Sequence, residues 1–274
     1  MGEGDLRVSA PLSVVTLGNS VAVLQLGAEA GIPRRTYSDV LADALNEGGV
    51  PATVALEGKW FDFLKDAILE WEQRVRPHRP QVLIVQYGLN ESQPWLAPVW
   101  LIRHLLRKEE YTTRAGKLYR RTLGTWMWKS LRNYRRVVSP LVGTATWQTT
   151  PRRFESALRR LIHLASAERG CLVLILDINP PGGTLTHFLP GQEKRHAIYQ
   201  SVFERVVEST ASRNVRLVRA STICEALGGR GGLPDGMHFS AAAHEAVGMQ
   251  LSEEIFEWIG YRREKNPRTR ATRK

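Results

Sequence analysis

Three short segments of this chain carry side chains that could do chemistry together. Ser20 ends the run Thr16-Leu17-Gly18-Asn19-Ser20. A glycine there permits a tight turn, and a serine where the next helix begins can present its hydroxyl beside a free main-chain N–H. Asn90 lies in Gln86-Tyr87-Gly88-Leu89-Asn90-Glu91, and its carboxamide can donate hydrogen bonds into a crevice. Asp235 and His238 stand three residues apart in Pro234-Asp235-Gly236-Met237-His238. At that spacing a carboxylate can reach the imidazole Nδ1–H, fix the tautomer and leave Nε2 as a base. A hydroxyl facing an oriented base suits nucleophilic acyl transfer through a covalent intermediate. Each segment taken singly also has a plainer structural reading. Ser20 suits a helix cap, Asn90 a turn, and Asp235 with His238 a structural pair in a surface loop.

The elements that must position these residues follow from hydrophobic patterning. Apolar, largely β-branched runs at Ser13–Leu17, Val82–Tyr87, Leu172–Leu176 and Val215–Val218, with a weaker one at Ala52–Leu56, predict strands buried on both faces. Helical spacing of apolar residues predicts helices over Ser38–Glu47, Trp60–Val75, Phe154–Ala167, Ile198–Val207 and His244–Ile259. Alternating strands and helices imply a doubly wound parallel sheet. In such a sheet ligands bind at the carboxyl ends of the strands. Ser20 and Asn90 each directly follow a predicted strand, and Asp235 and His238 fall in the last loop before the C-terminal helix.

Composition narrows the remaining possibilities. The chain has 274 residues, 43% hydrophobic and 24% charged, which suits one globular α/β domain. No apolar stretch is long enough to span a membrane, and the N-terminus lacks the basic and apolar regions of a secretory signal, so a cytoplasmic location is expected. Cys171 and Cys224 read as buried free thiols. The net charge of +11 is concentrated in two places. Residues 92–150 hold eleven Lys or Arg against two Glu, and residues 261–274 hold seven against one. The remainder of the chain is slightly acidic.

The order Ser, then Gly-x-Asn, then Asp-x-x-His on this pattern resembles the SGNH hydrolase family, also called GDSL. Gly18-Asn19-Ser20 stands where that family has Gly-Asp-Ser. Gly88-Leu89-Asn90-Glu91 stands where it has Gly-x-Asn-Asp, and Asp235-Gly236-Met237-His238 matches its last block in full. The resemblance covers roughly Val14 to Ile259 apart from residues 92–150. It implies a three-layer α/β/α fold with a five-stranded parallel sheet in flavodoxin-like order. It also implies serine-dependent hydrolysis of a carboxylic ester, with Ser20, Asp235 and His238 catalytic and no cofactor or metal required. The family places a glycine after its second strand in the oxyanion hole. Gly58 is the first candidate and Gly48 or Gly49 the fallback, joined by the Ser20 N–H and the Asn90 amide. Asn19 and Glu91 depart from the family pattern and could change how the nucleophile loop is braced. These two and Trp95 are also candidates to touch substrate. An α/β-hydrolase shares the order Ser, acid, His, but its serine sits on a Gly-x-Ser-x-Gly elbow well into the chain.

Residues 1–260 thus read as a single domain carrying a basic helical insertion at about 92–150, and residues 261–274 as a disordered basic tail. Within the insertion, Leu118, Leu123, Trp126, Leu131, Tyr134 and Val138 form an apolar side expected to be buried, with the arginines solvated opposite. The insertion could be a lid, a cap that recognises an acyl chain, an acyl carrier or an anionic group, or a helix resting on an anionic membrane. No motif accompanies the charge that would suggest nucleic acid. Two rivals to hydrolysis remain open. Transfer of the acyl group to an alcohol would use the same acyl-enzyme, and a non-catalytic binding module could keep the fold.

Overall fold

A computed structural model of the chain describes residues 10–23, 35–106, 113–167, 170–179, 182–228 and 231–265. In chain order the elements are β1 (Leu12–Gly18), α1 (Ser20–Val23), α2 (Tyr37–Glu47), β2 (Ala52–Gly58), α3 (Leu64–Leu69), α4 (Trp71–Arg74), β3 (Val82–Gln86), α5 (Val99–Leu106), α6 (Arg114–Tyr119) and α7 (Thr125–Val142). They continue with α8 (Pro151–Ala167), β4 (Leu172–Leu176), α9 (Gly183–Phe188), α10 (Gln192–Thr210), β5 (Val215–Val218), α11 (Ala220–Ala226) and α12 (Ala241–Lys265). The strands form one parallel sheet in the order β2-β1-β3-β4-β5.

The apolar runs dictate this sheet. Every residue of β3 and β4 is buried, which requires helices on both faces. One face is covered by α2 packed on α12, the other by α3, α8 and α10. The chain therefore has the three-layer α/β/α architecture with flavodoxin-like strand order. The direction of winding changes at β1, so a crevice opens between the carboxyl ends of β1 and β3. Gly18 pairs with Gly58 on one side and with Gln86 on the other, so the segments after β1, β2 and β3 emerge side by side.

Several elements depart from the periodicity. The helix expected over Trp60–Val75 begins at Leu64 and breaks at Glu70. Residues 59–63 are instead a loop, with Phe61 in the left-handed region at φ 49°. Tertiary hydrogen bonds described below hold that loop against β3 and override local helix propensity. The C-terminal helix runs to Lys265, into the segment expected to be a disordered tail, and residues 266–274 lie outside the described residues.

The insertion supplies α5, α6 and α7. Its ends meet: Gln148 N–H donates to the Gln93 carbonyl at 2.8 Å and Thr149 N–H to the Glu91 carbonyl at 3.1 Å. It docks through a second small core in which Ala97, Ile102, Trp128 and Leu131 pack with Phe61 and Phe63 of the loop after β2. The side of α7 that faces inward is only partly the expected one, since Leu131 packs in this core but most of its expected companions do not. Leu118, Leu123, Trp126 and Tyr134 are exposed, whereas Arg135 is buried and donates to Gln93 Oε1 at 2.5 Å. A π turn at Arg120–Gly124 adds a residue between α6 and α7 and breaks the phase that a single helix over this stretch would keep.

Candidate active site

β1 delivers Ser20. The strand ends at Gly18, Asn19 makes the turn, and α1 begins at Ser20 itself. Asn19 Oδ1 accepts the Val21 N–H at 3.1 Å, so its side chain caps α1. Gly58, last residue of β2, lies directly under this helix. A Cβ there would sit 2.2 Å from Val23 Cγ1, so any larger residue would force the Val23 side chain or α1 to move. Lys59 N–H returns to the Gly18 carbonyl at 3.1 Å and ties the two strand ends together. Gly48 and Gly49 close α2 before β2 begins, at the opposite edge of the sheet, so the fallback glycine fails on position.

The loop before α12 brings Asp235 and His238 to the same edge. His238 Nε2 lies 3.0 Å from Ser20 Oγ, and His238 Nδ1 lies 2.7 Å from Asp235 Oδ2. Asp235 Oδ1 accepts the main-chain N–H of Met237 at 2.9 Å and of His238 at 2.8 Å. Gly236 makes this tight wrap possible at φ 77°. Burial works to raise the Asp235 pKa, but the hydrogen bonds and charge of His238 and the two N–H donors outweigh it and hold the carboxyl below its usual range. An ionised Asp235 keeps the proton of the imidazole on Nδ1 and turns the Nε2 lone pair toward Ser20.

Asn90 follows β3, across the crevice from Ser20. Its Nδ2 donates to the Asp62 carbonyl at 3.1 Å, which fixes the carboxamide from behind. Asp62 is itself locked by charge-assisted bonds. Its Oδ2 accepts from Arg74 Nη1 at 2.8 Å and from the Tyr87 hydroxyl at 2.9 Å, and the pair of Asp62 and Arg74 is buried. Glu91 completes the brace, accepting the Leu64 N–H at 2.7 Å on one oxygen and the Gly88 N–H at 2.9 Å on the other. Burial pushes its pKa up to about 7 despite these donors. Asn19 and Glu91 are both buried with these side-chain oxygens spent on main-chain N–H groups, so they support the loops and do not face substrate. Trp95 is exposed on the stretch leading to α5.

Sequence reasoning missed three of the residues around this site. Trp60 stands with its ring centroid 6.5 Å from that of His238, and its ring is half exposed. It also lines a cavity of about 290 Å³ together with Asp62, Asp66, Leu69, Glu70 and Arg103. Asp62 and Arg74 were hidden because that stretch reads as one amphipathic helix, and no local spacing marks a pair 12 residues apart. Among the described residues, no cluster of three or more His, Cys, Asp or Glu side chains could hold a metal ion. No described helix is long and apolar enough to cross a membrane.

The fold is similar to that of a lipase/acylhydrolase from Enterococcus faecalis at 16% identity, covering 89% of this chain and 95% of that one, with a TM-score of 0.57. A GDSL-like lipase from Parabacteroides merdae is 13% identical over 90% of this chain and 99% of its own, with a TM-score of 0.53. A catalytic mutant of an acetylxylan esterase from Geobacillus stearothermophilus is 14% identical over 90% and 93%, with a TM-score of 0.54. No protein-family model and no curated protein matches the chain. The chain has the SGNH/GDSL hydrolase fold.

Proposed function

We propose that this protein is a serine-dependent carboxylic-ester hydrolase. The observation that carries the reading is the continuous relay from Asp235 Oδ2 through both nitrogens of His238 to Ser20 Oγ, with links of 2.7 and 3.0 Å. Such links are within reach for proton transfer. His238 Nε2 takes the Ser20 proton while Oγ attacks the acyl carbon. The carbonyl oxygen becomes an oxyanion, met by the Ser20 N–H, the Gly58 N–H and the second N–H of the Asn90 amide. His238 returns the proton to the departing alcohol, which leaves an acyl-Ser20 ester. Water then attacks with His238 again as base and releases the acid. Asp235 stays ionised and stabilises the imidazolium formed in each half.

The names of structurally similar proteins fit this reading, since they include a lipase/acylhydrolase and an acetylxylan esterase. A fluorophosphonate probe is expected to label Ser20 in the folded protein. Ser20→Ala and His238→Ala are expected to abolish p-nitrophenyl acetate turnover while leaving thermal stability nearly unchanged. Full turnover by Ser20→Ala would end the proposal.

A further inference from the structure

The outer face of α7 is apolar and uncovered. Trp126, Tyr134, Val137 and Leu141 recur at spacings of eight, three and four, which places them on one side of the helix. They are 65%, 51%, 60% and 80% exposed. The opposite side, with Trp128, Leu131 and Arg135, already packs on the body of the protein, so the exposed stripe is not a core face seen from behind. It is also not isolated. Eight of the thirteen large exposed hydrophobics among the described residues belong to the insertion. Beside the stripe run the exposed cations Lys129 and Arg136, and α6 adds exposed Arg114 and Lys117.

We infer that this face of the insertion docks on an anionic lipid bilayer. Charge complementarity selects that partner. Residues 92–150 carry eleven Lys or Arg against two Glu, so a second copy of the same face would bring like charge against like. A bilayer with anionic headgroups attracts the cations and takes up the apolar stripe at its interface, where Trp and Tyr are favoured. Nucleic acid would use the cations but would leave Val137 and Leu141 in water. The inner side of the insertion packs on Phe61 and Phe63 of the loop after β2, so docking through the outer stripe leaves that packing undisturbed. Docking itself does not depend on the esterase reading.

The test is co-sedimentation of the full-length protein with vesicles of phosphatidylglycerol and phosphatidylcholine, and with vesicles of phosphatidylcholine alone. The protein is expected to pellet with the anionic vesicles, to be released as salt is raised, and to show a blue shift of tryptophan emission on binding. Trp126→Ser combined with Val137→Ser and Leu141→Ser is expected to weaken binding at least about tenfold with little change in Tm, since the three side chains are exposed. Lys129→Glu with Arg136→Glu removes the charge from the same face without touching the stripe, is expected to lose binding as well, and answers the question if the triple variant folds poorly. The basic C-terminal residues are intact in both variants. Wild-type binding by either variant would show that the tail alone provides the affinity, and would overturn the inference. So would failure of the wild type to bind anionic vesicles, or a wild-type dimer in sedimentation equilibrium that the stripe variant converts to monomer. Ser20→Ala is expected to bind like the wild type, which separates docking from catalysis.

Discussion

The carboxamide of Asn90 and the carboxyl of Glu91 are neighbours in the chain with opposite duties. Asn90 is held by the Asp62 carbonyl, and in the proposed mechanism its second N–H meets the oxyanion. Asn90→Ala is expected to lower kcat about 10²–10³-fold toward p-nitrophenyl acetate, the usual loss for one oxyanion donor, with Tm little changed. Glu91 is buried and its pKa lies at about 7, above the ordinary value of 4.5. Between those two pH values the unfolded chain releases this proton and the folded chain retains it. Ionisation therefore favours the unfolded state, and the folded state loses stability as pH rises through this window. The stability margin of the wild type over Glu91→Gln is expected to shrink from pH 4.5 to 7, by up to about 3 kcal/mol, and to be constant above it. Urea unfolding across that range checks the sign. At this scale the sequence was legible where chemistry sits in compact motifs. Ser20, Asn90, Asp235 and His238 could each be found from immediate neighbours. Asp62, Arg74 and Tyr87 could not, because their meaning lies in contacts among three separate segments.

Strands were easier to read than helices. The five apolar runs are the five strands within a few residues; burial on both faces leaves an unbroken hydrophobic signature in β1, β3 and β4, whereas the edge strands β2 and β5, expected to be buried as well, are only partly so. Helix boundaries failed where tertiary bonds compete. The turn around Phe61 interrupts an amphipathic pattern, and the π turn before α7 breaks the phase between α6 and α7. The first of these lies next to the crevice, where local preference yields to the geometry of the site. The closeness of α1 to the sheet gives a test at this level. Gly58→Ala places a methyl against Val23 and lifts the helix that begins at Ser20. A displacement of about an ångström at a nucleophile is expected to lower kcat/KM about tenfold to hundredfold. A variant with unchanged kinetics and an undisturbed α1 would show that the helix has more freedom than the packing implies.

The whole molecule combines a dry, rigid sheet with a charged appendage. The sheet side has no covalent reinforcement: Cys171 and Cys224 form no disulfide and are buried. Burial pushes the Cys224 thiol up to about 12, so it stays protonated and unreactive at neutral pH. Native protein is expected to leave both thiols untouched by a disulfide exchange reagent such as DTNB, and guanidinium-unfolded protein to release colour from both. Fast reaction of either thiol in the native state would mean that the sheet opens locally. The appendage is attached differently. Its first and last residues are joined by main-chain hydrogen bonds from Gln148 to Gln93 and from Thr149 to Glu91. Two ends that touch can be bridged by almost any length of chain at small entropic expense. The segment between them is thus a cassette, and recombination could shorten, extend or swap it while β3 and α8 keep their seats. A lineage could change what such a protein touches and leave untouched the residues gathered at the ends of β1 and β3.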